Sequence, residues 1–414
     1  MSSPNRESPQ PGLQSRQANW QPAMLLIFAQ LAAGLRDMPQ FAFFLIYLQE
    51  QLTLTPVTIS GVVAGAQIAS MIAALASGAL TARLGSKWVL VGGLAFSGLS
   101  SLVFQLDTFW VVAFLWLTGG AGAALVTVGS SSYLTRLSGQ GTLGVLAAFY
   151  ALSMTIGGAI GNPLAGLLIE RYSFSRFGWV AVALTIITTL ILALWMTNLH
   201  DYAAKPVGLR AFGVSFLPML RQPTVRYLIG LRSLPTFFYG IMTVLVPLLL
   251  NELASDKVLI AAYGTATLIV ASLAQLLAGR AADRWGAQRP TLVAYGTLFV
   301  AGCGLFLGVG QVQTLFGFGV IGIAAAWSLS TLMYVWVADG LPKEEHPATF
   351  GLLHAVWSVC MIGGSLIGGW LVRLTPGLPF LLGGLINIGA CFLIIRYYRR
   401  QADQVAGRPL PIGD

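Results

Sequence analysis

Residues 78–87 read GALTARLGSK and residues 279–289 read GRAADRWGAQR. Gly78, Arg83 and Gly85 of the first stretch fall in step with Gly279, Arg284 and Gly286 of the second, so the chain carries an internal duplication. Each copy separates two long apolar runs, 57–80 from 87–106 and 258–279 from 290–310. A run of about 20 apolar residues is what a helix needs to cross a hydrocarbon layer about 30 Å thick. A short polar turn carrying basic residues between two such runs therefore reads as a loop at a membrane surface.

Working outward from these two loops, the same reading finds twelve spans: 23–49, 57–80, 87–106, 109–134, 143–169, 177–199, 225–250, 258–279, 290–310, 313–337, 348–372 and 378–398. The composition agrees. Charged residues make up 9% of the 414 positions, against about 25% in soluble chains, and apolar residues 56%. The spans are too long and too evenly apolar for the alternating strands of a membrane barrel, so they are predicted to be helices. The fold expected is an all-α membrane protein of twelve transmembrane helices in two six-helix pseudo-repeats. Its predicted parts are an N-terminal leader over 1–22, a first bundle over 23–199, a linker over 200–224, a second bundle over 225–398 and a tail over 399–414.

Lysine and arginine set the orientation. Loops on the side of the N terminus hold seventeen of them, and the opposite loops hold Arg171, Arg176, Lys257 and Arg373. Both termini are thus expected in the cytoplasm, in a multi-pass cell membrane protein of the bacterial inner-membrane type. In the linker, Leu209, Phe212, Phe216 and Leu220 recur at helical spacing and predict a segment lying on the membrane surface.

Several functions lack their parts. The net charge of +9 forms no basic stripe with interleaved aromatics, so no nucleic-acid partner is expected. Cys303, Cys360 and Cys391 lie inside apolar runs without metal spacing, so neither a metal nor another cofactor is expected. There is no phosphate loop, zinc-protease motif or nucleophile elbow, which argues against a fuel-burning pump or an enzyme.

The duplication extends beyond the loops. Thr142, Gly144, Leu146, Ala148, Gly157 and Gly161 align with Thr349, Gly351, Leu353, Ala355, Gly364 and Gly368, and residues 34–41 (GLRDMPQF) resemble 230–237 (GLRSLPTF). With these motifs the chain resembles the major facilitator superfamily over its whole length. That family carries a Gly-x-x-x-Asp-Arg-x-Gly-x-Arg/Lys pattern between spans two and three. Here the second copy keeps the acid as Asp283, whereas the first has Ala82. The resemblance implies a conformational latch formed by Gly78, Arg83, Gly85, Gly279, Asp283, Arg284 and Gly286, weakened in the first half. Gly157-x-x-x-Gly161-Asn162-Pro163-x-x-Gly166 is similar to the antiporter pattern with its proline displaced by one, and Trp116 stands where many proton-coupled members have arginine.

Two arginines fall inside spans. Arg36 lies about 20 Å along the first helix at 1.5 Å per residue, and Arg232 lies in the seventh span. A charge at a helix centre costs about 2.5–3.5 kcal/mol on insertion scales, so such residues normally face a wet cavity or one another. Asp37 offers a partner for Arg232 across the halves; the alternative is a closed ion pair that only fastens helices. The resemblance implies that spans one, four, seven and ten line a central cavity. Arg36 and Arg232 would then meet a carboxylate or phosphate, and Phe41, Trp116, Tyr239, Trp327 and Tyr334 would pack an organic body. Asp37, the acid in mid-span, and His354 are the candidates for carrying a coupling proton. The expectation is a monomeric secondary transporter in the lipid bilayer that moves a small organic anion with protons, against the alternative of efflux of lipophilic or cationic drugs.

Overall fold

The computed structural model describes residues 20–137, 143–198, 219–342 and 345–405. Over these the chain forms twelve α-helices and no strand: α1 (Trp20–Glu50), α2 (Pro56–Leu84), α3 (Ser86–Leu99), α4 (Phe109–Leu137), α5 (Leu143–Arg171), α6 (Phe174–Trp195), α7 (Pro223–Ala254), α8 (Lys257–Trp285), α9 (Gln288–Leu307), α10 (Val312–Gly340), α11 (His346–Leu371) and α12 (Leu378–Val405). Residues 1–19, Thr142, the surface segment expected at Leu209, Phe212 and Phe216, and the last nine residues lie outside the described residues.

Eleven of the twelve, with α3 taken together with the 3₁₀ turn that follows it, are long and apolar enough to cross a membrane. α1 is the other, and Gln30, Arg36, Asp37 and Gln40 along its 31 residues account for the shortfall. It holds its place because these groups are satisfied inside the protein: Gln40 donates to Ser100 Oγ at 2.7 Å and accepts from Ser101 Oγ at 2.7 Å. Ser100 also marks where the coil tightens within the span expected over 87–106, which the structure keeps as one span over Ser86–Gln105. α3 stops at Leu99 and continues as a 3₁₀ turn, Ser100–Gln105, where the Ser100 hydroxyl donates to the Ser97 carbonyl at 2.5 Å and competes with the backbone ladder.

Helix ends follow local chemistry. Ser173 caps α6 through the Arg176 amide, and Asp256 Oδ1 accepts from the Val258 and Leu259 amides at the start of α8. α2 and α8 end at Gly85 and Gly286, whose φ angles of +83° and +77° belong to the left-handed region that favours glycine. This is why glycine recurs in both copies of the quoted loop.

The two halves pack alike. α1 lies along α5 and α7 along α11, with glycine at the crossing. A Cβ at Gly161 would stand 2.3 Å from the carbonyl oxygen of Leu35, and one at Gly240 would stand 2.7 Å from that of Met361. Between halves, α5 meets α8 and α2 meets α11, pairs that the duplication interchanges.

Among the described residues, most polar contacts that join the halves gather at the end of the bundle away from the N terminus; Thr265 Oγ1 to Ala159 O at 3.4 Å lies farther in. Gln49 donates to Glu252 at 2.8 Å, Asn251 to Glu50 at 2.9 Å, and the Lys257 ammonium pairs with Glu50 while its backbone N–H reaches Glu170 at 3.4 Å. Beneath this clamp, residues 43–48 of α1 and 244–250 of α7 sit in the main apolar core, largely or wholly buried. The bundle is closed at that end.

Candidate functional site

A cavity of about 350 Å³ lies within the second half, a volume suited to a small organic molecule. α7 contributes Arg232, Pro235, Thr236 and Tyr239 at helical spacing; α10 contributes Trp327 and Ser330, α11 His354 and Trp357, and α8 Gln275. Each pair on α10 and α11 is three residues apart and so shares a face.

Arg232 is the charge in this cavity. Its Nη1 donates to Ser330 Oγ at 2.6 Å, and among the described residues no carboxylate pairs with it. A guanidinium has five N–H donors, so a half-buried one with a single neutral side-chain partner keeps most of its capacity for an incoming anion. The walls beside it are aromatic. Trp327 Nε1 donates to Tyr239 OH at 3.2 Å, Gln275 Nε2 reaches Trp327 O at 3.4 Å, and the His354 ring stacks on Trp357 with centroids 5.5 Å apart at 16°.

Arg36 is placed differently. It is 3% exposed in the first half, where Nε meets Asp37 Oδ1 at 2.6 Å, Nη1 meets Thr185 at 2.5 Å and Nη2 meets Ser97 at 2.7 Å. The cross-half pair expected between Asp37 and Arg232 is replaced by this neighbouring one: Asp37 is one residue away on the same helix, and α3 and α6 supply the hydroxyls that hold the guanidinium among them. Arg36 is thus turned into the first bundle and is absent from the cavity of Arg232.

The expected aromatics divide in the same way. Tyr239 and Trp327 line the cavity. Trp116 stacks on Phe44 at 3.7 Å, with Phe41 6.4 Å away, inside the first half's packing. Tyr334 is 65% exposed and packs on Phe350 at 5.0 Å. In the loops, Gly78 and Arg83 lie in the last turns of α2, and Gly279, Asp283 and Arg284 in those of α8; Arg83, Asp283 and Arg284 are exposed. Arg284 lies over the Trp285 ring at 5.6 Å, and Asn198 Nδ2 ties the α2 end to its own half through Leu84 O at 3.0 Å. Sequence reasoning missed Gln275, Ser330 and Trp357. The last two were within reach of i, i+3 spacing from Trp327 and His354. The clamp of Gln49, Glu50, Asn251, Glu252 and Lys257 was missed because these residues read as ordinary helix ends.

Comparison with known proteins accords with this architecture. The family model described as Major Facilitator Superfamily matches residues 25–331 and 236–411. The tetracycline resistance protein, class E, of Escherichia coli is 29% identical over 181 residues, 40% of this chain and 42% of that one. The cis,cis-muconate transport protein of Acinetobacter baylyi is 30% identical over 112 residues, 26% of each chain. The matches thus span under half the length of these curated relatives. Among solved structures, the nucleoside transporter NupG has a TM-score of 0.76 at 14% identity, covering 91% of this chain and 99% of that chain. A POT family transporter in complex with 5-aminolevulinic acid has 0.74 at 14%, covering 91% and 96%. With the duplicated loops, the twelve helices and a family model matching nearly the entire length, the chain belongs to the major facilitator superfamily.

Proposed function

We propose that this protein is a monomeric secondary transporter that moves a small organic anion with protons, by alternating exposure of the cavity around Arg232 to the two sides of the membrane. One observation carries the reading: the Arg232 guanidinium lines an aromatic-walled cavity and, among the described residues, has the neutral Ser330 hydroxyl as its side-chain partner. An anion would supply the missing counter-charge through the arginine fork, and Tyr239, Trp327 and Trp357 would cover a flat organic body. The muconate transport protein among the relatives, named for an organic dicarboxylate, supports this class.

In this reading Asp37 carries the coupling proton. Its carboxylate is one-third exposed and salt-bridged to Arg36, so protonation removes the charge that holds Nε and loosens the first bundle. His354, in the cavity wall, titrates beside the substrate. Both termini face the cytoplasm of a bacterial cell, so the closed end is the outer one and the conformation faces inward. The loops around Arg83 and Asp283 meet across the halves only when the bundle rocks the other way.

A second reading is proton-coupled efflux of lipophilic or cationic compounds. The four-ring aromatic lining and the likeness to tetracycline resistance proteins favour it. Thermal unfolding of the purified protein decides between them, because a ligand preferring the folded state raises the midpoint. Stabilisation by muconate that disappears in Arg232→Gln is expected. Stabilisation by tetraphenylphosphonium alone, insensitive to Arg232, would replace the anion reading with drug efflux.

A further inference from the structure

A second concavity, a groove of about 650 Å³, lies on the outer surface of the second half, between α8, α9 and α10. Its floor is made of short side chains: Ala274, Ala278 and Ala281 of α8 with Ala324 and Ala325 of α10. Its rims are Leu277, Trp285 and Val293, all more than half exposed. Arg289 is the charged residue among those that line it, and it stands at the end of the bundle where α8 turns into α9.

The dimensions fit one leaflet. From Val270 to Trp285 the α8 wall runs about 22 Å at 1.5 Å per residue, close to half of a hydrocarbon core of about 30 Å plus part of the headgroup layer. A flat helix surface holds lipid loosely, whereas a trough floored by alanines accepts a chain among side walls. At its mouth, Arg289 gives a fixed positive charge at headgroup level, and the Trp285 ring lies against the trough with Arg284 stacked on it at 5.6 Å.

We propose that this groove binds an anionic phospholipid, with one acyl chain between α8, α9 and α10 and the phosphate on Arg289. Charge complementarity selects the occupant. A basic residue at a membrane surface favours anionic lipid by about 1 kcal/mol, and a neutral zwitterion gains little from a lone arginine. The bound lipid stands directly behind the transport cavity, since α8 and α10 present Gln275, Trp327 and Ser330 to the cavity on their other faces.

Trp285 provides the readout. In detergent-solubilised protein, phosphatidylglycerol and phosphatidylcholine with brominated chains are titrated, and the tryptophan quenching that Trp285→Phe removes is followed. Phosphatidylglycerol is expected to saturate this component at roughly fivefold lower concentration than phosphatidylcholine, the weight of one surface arginine. Arg289→Gln should erase the preference, Arg221→Gln, at the same end but off the groove, should keep it, and Ala278→Leu should weaken both lipids by filling the floor. Absence of quenching that depends on Trp285, equal saturation by the two lipids, a preference that survives Arg289→Gln, or one lost equally in Arg221→Gln would each overturn the proposal.

Discussion

At the scale of single residues, the two intramembrane arginines come from similar sequence and do different work. Arg36 has three polar partners in the first bundle, and removing it leaves Asp37, Ser97 and Thr185 without their donor. Arg36→Gln is therefore expected to cost about 1–3 kcal/mol of stability, seen as a lowered unfolding midpoint whether or not ligand is present. Arg232→Gln deletes a group with one hydroxyl partner. It should change unfolding of the free protein by less than about 1 kcal/mol and abolish stabilisation by organic anions, with Arg232→Lys restoring part of it because the charge returns without the fork. Asp37→Asn is expected to leave anion binding intact and to stop flux driven by a pH gradient in proteoliposomes. Flux unchanged in that variant would remove Asp37 from proton coupling.

At the scale of helices, stability rests on a few crossings where backbones touch. Gly161→Ala would place a Cβ 2.3 Å from Leu35 O, and since neither backbone can yield locally, the expected cost is about 1–3 kcal/mol. Gly296→Ala meets nothing within 4 Å and should be neutral or gain up to about 1 kcal/mol from helix propensity. Thermal unfolding of the pair of variants tests whether the crossing, rather than glycine as such, matters. The glycine spacing of α5 and α11 was legible in the sequence; which carbonyl each glycine approaches was not, because that depends on the rotation and crossing angle of two helices far apart in the chain.

At the scale of the whole molecule, the halves are held at one end by the Lys257–Glu50 ion pair and its amide and carboxylate neighbours, and through α2–α11 and α5–α8. Lys257→Met weakens the clamp by about 1 kcal/mol, roughly a fivefold shift toward states open at that end. Ser60, wholly buried and facing Gly369 across the α2–α11 contact, gives the reporter. Ser60→Cys in a background lacking the native cysteines should be labelled by an impermeant maleimide several times faster when Lys257→Met is present. Equal labelling would show that the clamp does not set the conformational balance.

The sequence by itself determined the number of helices, their class and the two-fold repeat, because the bilayer fixes helix length and duplication leaves matching residues. It also singled out Arg232, since a charge in a span demands a polar environment, while the family resemblance supplied Tyr239 and Trp327 and the titratable ring supplied His354. Only the tertiary structure decided that Arg36 turns into its own bundle, that Trp116 and Tyr334 stand apart from the cavity, and that Glu50 meets Lys257. Those outcomes depend on the azimuth of each helix and on contacts between residues separated by as many as 207 positions, which periodicity along one helix does not encode.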